Sequence, residues 1–145
     1  MNDPTACIHA CNKLLREELS AIETYTHAIG KCDEQVMVRT LDQIREDHEQ
    51  NANILRFHLS SLGAVPASGS GAWGAFAGTV EGAAALLSDY AAIAALIGSE
   101  RNGIREYENA LENPHVGEEI KVRFRDENLP RLRNHVKSLE VVTGR

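Results

Sequence analysis

A chain of 145 residues with 43% hydrophobic and 25% charged residues is sized and composed for one soluble domain with a real core, not for a disordered segment. Its net charge of −6 argues against nucleic-acid or anionic-membrane partners, and the cluster Arg123, Arg125, Arg131, Arg133 is diluted by Asp126 and Glu127. No apolar run reaches a membrane span, since Asp89 interrupts the Ala-rich run 83–97, and Met1-Asn-Asp-Pro-Thr lacks the features of a leader, so a cytoplasmic location is expected.

The apolar periodicity predicts helices in chain order. The first spans 3–30, with Asp3 as N-cap, Pro4 at the first helical position and Gly30 as the stop. Its apolar seam is Ile8, Cys11, Leu15, Ile22, Tyr25, Ile29. A turn at 31–34 is short enough to make the second helix, 35–62, an antiparallel neighbour. That helix carries Met37, Leu41, Ile44, His48, Asn51 and Leu55 on its seam, and Gly63 follows. Residues 63–71 form a Gly/Ser/Pro linker, and 72–88 is expected to be a short crossover helix that packs Trp73 and Phe76 on the bundle or on a second copy. A homodimer is expected on that ground. The third helix spans 89–112 and the fourth 118–142, with a kink at Pro130.

The three cysteines are read as reduced and mostly buried. Cys7 and Cys11 lie one helical turn apart, and a soft-metal or redox role for that pair is the minority reading. His9, His27, His58 and His115 are expected at the surface or in turns.

One stretch organises the rest. Glu18-Leu-Ser-Ala-Ile-Glu-Thr-Tyr25 recurs 82 residues later (18 to 100) as Glu100-Arg-Asn-Gly-Ile-Arg-Glu-Tyr107. Seven steps of about 100° return each Tyr to the face of its Glu. The same offset maps Leu15 onto Ile97, Ile22 onto Ile104 and Ile29 onto Leu111, so both carboxylates interrupt an apolar stripe. A carboxylate on a buried seam is costly unless something pairs with it.

The turns supply the partners. Glu18 and His48 are equidistant from Asp33, and Glu100 and His135 are equidistant from the Gly117–Glu118 step. Each pair therefore stands at one height in its hairpin, and the four helices aim Glu18, His48, Glu100 and His135 at one mid-bundle region. Two carboxylates and two imidazoles suit a divalent ion such as iron, manganese or zinc. Tyr25 and Tyr107 are placed to support the ligand carboxylates as outer-shell partners. The same four residues could instead form buried ion pairs that fix helix register without any metal.

Glu-x6-Tyr on the first and third helices resembles the ferritin, bacterioferritin and rubrerythrin superfamily, where it marks the di-iron carboxylate site. The stretch from Leu59-Ser-Ser-Leu-Gly63 through the linker, Trp73 and Glu100 to Tyr107 looks like an uncharacterised bacterial branch of it, ferritin-like four-helix-bundle domains of unknown function. The resemblance implies an all-α, ferritin-like antiparallel four-helix bundle with a long crossover. It also implies a bound metal, iron first, with iron handling, an oxidative-stress role or ferroxidase-like oxidation as the activity. This chain departs from the pattern at Arg45 and Leu132, where full di-iron members place the bridging Glu of Glu-x2-His. The rival expectation is a non-catalytic structural bundle that has kept the fold and lost the full site.

Overall fold

The computed structural model describes residues 4–69 and 89–142. The expected crossover helix, with Trp73 and Phe76, lies outside the described residues, as does the Asp3 cap. Helix α1 spans Pro4–Lys31, α2 Gln35–Ser61, α3 Asp89–Glu112, α4 Glu118–Arg123 and α5 Leu129–Val142; the described residues contain no strand. Between α4 and α5, Phe124–Asn128 forms a π-helical turn that makes one continuous rod of the two. The architecture is an all-α, ferritin-like bundle.

Local chemistry accounts for the ends. Gly30 is inside α1 and not beyond it, because helical geometry there is open to any residue and nothing crowds the position. Glu34 starts α2, its carboxylate accepting from the Val36 and Met37 amides at 3.1 and 2.8 Å. Gly63 ends that helix at φ +78°, the left-handed turn that lets the Ala64 amide donate back to the Leu59 carbonyl at 3.0 Å. The chain then stays irregular over 64–69, with the Ala67 amide held by Asn12 Oδ1 at 2.9 Å.

The expected break in the last helix takes a specific form. Pro130 has no N–H to give, and the Leu129 amide reaches back five residues to the Phe124 carbonyl. Phe124 and Asn128, at the two ends of that turn, are both fully buried.

Two apolar clusters fill the bundle. One gathers Cys11, Leu15, Leu55, Leu59, Phe124 and their neighbours. The other gathers Leu41, Ile44, Ile93, Leu96, Ile97 and Leu139. Between them lies a buried polar layer: Glu18, His48, Asn51, Glu100, Asn128 and His135. Those side chains leave water for the sake of the layer alone, so every one of them needs a partner inside it.

Candidate metal centre

His48 stands at the middle of the layer. Its Nδ1 lies 2.5 Å from Glu18 Oε1 and its Nε2 lies 2.7 Å from Glu100 Oε2. Both ring nitrogens face carboxylates, so in the metal-free protein both carry hydrogens and the ring is an imidazolium. Burial alone would lower its pKa; Glu100 and Glu18 outweigh burial and push it up to about 10. Burial would likewise raise Glu100, but His48 and His135 hold its carboxyl well below the usual range.

Glu100, like Glu18, has three partners in the layer. Its Oε2 also accepts from Tyr25 Oη at 2.6 Å, and its Oε1 lies 3.0 Å from His135 Nδ1. Glu18 accepts from Asn51 Nδ2 at 3.1 Å and from the Tyr107 hydroxyl. Asn128 Nδ2 in turn donates to Tyr107 at 3.1 Å. The tyrosines therefore cross over: each serves the Glu of the other copy, not the one on its own helix. That exchange requires α1 and α3 to run in opposite directions, so that two turns beyond one Glu is level with the other. Burial and the adjoining Glu raise both phenols well above the ordinary value, Glu100 acting on Tyr25 and Glu18 on Tyr107, so both stay protonated as donors.

All four residues read from the sequence as a site, Glu18, His48, Glu100 and His135, are at most 4% exposed and meet in this layer. One ligand atom each from His48, Glu100 and His135 lie within 4.8 Å of one another. Glu18 is placed differently, against the far nitrogen of His48. A cation on the Nε2 side would then see Glu18 through the imidazole, the carboxylate–histidine–metal arrangement.

The structure adds residues that the spacing argument did not assign. Asp47 Oδ2 lies 2.9 Å from His135 Nε2, giving that ring its own outer carboxylate. Asp47 sits off the seam, and nothing in the periodicity marks it. Asn51 and Asn128 are on the apolar seams of the second and last helices, legible in the sequence as polar interruptions, but spacing alone gives them no role. Arg131 Nη1 donates to Asn51 Oδ1 at 3.1 Å, linking α5 to α2 above it. The two departures from the di-iron pattern keep to themselves. Arg45 turns out to Asp42 and Thr26, and Leu132 is buried against Gly103, where a Cβ would sit 2.8 Å from its Cδ2.

A cavity of about 520 Å³ between α1 and α3 reaches Glu18, Glu100 and His48. Glu17 lines it; burial, with Glu106 and Glu18 nearby, pushes its carboxyl up to about 7. A hollow of about 700 Å³ between α2 and α5 reaches His135 and Asp47 from the other side.

Residues 6–113 match a protein family described as a domain of unknown function, DUF2383. Two solved structures share the fold. One is the dodecameric thioferritin of Bacteroides fragilis, a bacterioferritin-related protein, at TM-score 0.78 and 15% identity over 99% of this chain and 87% of that one. The other is a ferritin-like, diiron-carboxylate protein from Bacillus anthracis strain Ames, at TM-score 0.73 and 20% identity over 98% of both chains. No curated protein matches the chain. At these identities the likeness establishes the fold.

Proposed function

The chain belongs to the DUF2383 family of unknown function, and we propose that within its ferritin-like bundle it binds one divalent metal ion, held by His48 Nε2, Glu100 and His135. The observation that carries this is the meeting of those three buried donors within 4.8 Å. The donor set fits: two imidazoles and a carboxylate suit iron, manganese or zinc, and iron leads because a diiron-carboxylate protein shares the fold. Glu18 orients His48 and Asp47 orients His135 through their second nitrogens. With Arg45 and Leu132 in place of bridging carboxylates, a single ion accounts for the ligands better than a pair. Iron handling or an oxidase-like activity is the corresponding biological role, the cavity between α1 and α3 being the way in. The ion would supply Lewis acidity or electron transfer. The chain's residues hold the donors, keep bulk water out with two apolar clusters, and keep protons on Tyr25 and Tyr107. Self-association is part of the proposal; Phe57, 76% exposed on α2, is an apolar contact for it.

A second reading has its own support. The layer closes on itself without an ion, with His48 charged between Glu18 and Glu100. It would then be a register device that joins four helices. Thermal melting of protein as purified, with chelator, and with added iron, manganese or zinc separates the two. A metal-dependent rise in Tm with near-stoichiometric metal by elemental analysis supports the site. No shift and no bound metal leaves the ion-pair layer.

A further inference from the structure

A second cluster of metal-ligating side chains lies in the bundle, two helical turns (about 10 Å) along α1 from Glu18. Cys7 and Cys11 are one turn apart on the inner face of α1. Cys7 and His58 are equidistant from the Cys32–Asp33 step, so α2 delivers His58 at their height. His58 is only 7% exposed, which corrects the expectation of a surface histidine, and Cys7 and Cys11 are 6% and 0% exposed. Cys7 Sγ lies 3.9 Å from His58 Nε2, and one ligand atom from each of the three lie within 4.8 Å of one another.

We infer that Cys7, Cys11 and His58 form a thiophilic metal site that takes Zn²⁺. Tetrahedral zinc with sulfur at about 2.3 Å and nitrogen at about 2.0 Å sets its ligands about 3.5–3.8 Å apart. The Cys7–His58 separation is a few tenths of an ångström longer, so side-chain torsions suffice to close it. Two thiolates and an imidazole also discriminate by softness. The mid-bundle donors are two imidazoles and a carboxylate, a harder set, so the thiolate pair is the stronger attractor for a soft ion. Each Cys loses its thiol proton as its S–Zn bond forms, and the two protons go to solvent; no electron moves. The fourth position is open to water or a thiol.

The alternatives are weaker on the same geometry. A Cys7–Cys11 disulfide would join consecutive turns of one helix, constrain nothing, and leave His58 without a role. As a metal-free nucleophile Cys11 is poor, because burial and the neighbouring Cys7 push its thiol up to about 12. Among the described residues the His58 ring has one side-chain hydrogen-bond contact, the long one to Cys7, and Glu119 acts on it only through its charge, a meagre return for burying an imidazole.

Cobalt(II) tests the site, because a thiolate-to-cobalt charge-transfer band arises only from sulfur ligation and so is blind to the mid-bundle donors. The full-length protein, reduced and metal-free, should give that band with d–d transitions of tetrahedral intensity, its final height that of one two-thiolate site per chain whatever ion the mid-bundle donors also take. Zn²⁺ should then bleach it. Cys11→Ser and His58→Gln should each weaken Co²⁺ binding by about 100-fold or more, more than an outer partner would cost. Glu100→Gln should leave the band unchanged. Two substitutions on different helices guard against one variant failing to fold, with circular dichroism as the check. No charge-transfer band in the reduced wild type overturns the site. So does a band of undiminished affinity in the Cys7→Ser, Cys11→Ser double variant, which would trace it to Cys32.

Discussion

Tyr25 on α1 donates its hydroxyl to Glu100 on α3, 75 positions away, at 2.6 Å, and not to Glu18 on its own helix. Tyr107 returns the exchange to Glu18. The repeated Glu-x6-Tyr is thus one reciprocal unit split over two antiparallel helices. The cross-pairing is measurable in double-mutant cycles. Tyr25→Phe should cost about 1.5–3 kcal/mol, the range for a hydrogen bond to a charged group. It should couple to Glu100→Gln by at least about 0.5 kcal/mol and be closer to additive with Glu18→Gln. Stronger coupling to Glu18 would refute the exchanged pairing.

The two carboxylates should differ in metal affinity. Glu100→Gln removes a proposed ligand, whereas Glu18→Gln removes the partner of His48 Nδ1. We expect about 10–100-fold weaker binding for Glu18→Gln and a larger loss for Glu100→Gln, by titration with Fe²⁺ under anaerobic conditions or with Mn²⁺. Equal losses would mean that Glu18 ligates directly.

Protons and metal compete at His48, which fixes the sign of two pH effects. Its folded pKa, about 10, is above the unfolded value of about 6.5. In chelator-treated protein its contribution to stability is therefore complete below about pH 6.5 and is lost as pH rises toward 10. Metal affinity should run the other way and grow over the same interval, because the ion replaces the Nε2 proton. Denaturant titrations between pH 6 and 9 with and without metal check both. A metal-free stability that climbs through that window would contradict the charged imidazole.

Two glycines should respond oppositely to alanine. Gly63→Ala puts a Cβ on a residue at φ +78° and should cost about 1 kcal/mol. Gly30→Ala is inside α1 with nothing within 4 Å of the new Cβ, and should add about 0.5–1 kcal/mol. Chemical denaturation of the two variants suffices; a destabilised Gly30→Ala would mean that α1 ends before residue 30.

The bundle and its polar layer are legible in the sequence, because seam periodicity and equal distance from a short turn are properties of a single helix or hairpin. Glu18 with His48 and Glu100 with His135 follow from that arithmetic, as do the interruptions at Asn51 and Asn128 and the disturbance around Pro130. What the sequence by itself does not determine is how the two hairpins dock. Spacing along one helix says which face a residue is on and says nothing about which atoms of another hairpin meet it. His58 beside Cys7 is within the first hairpin and follows the same equal-distance arithmetic; only the tertiary structure sends each Tyr to the opposite Glu, puts Glu100 on the second nitrogen of His48 and brings the off-seam Asp47 to His135. Each of those contacts joins separate elements, and its geometry is set by the packing of whole helices rather than by any local pattern.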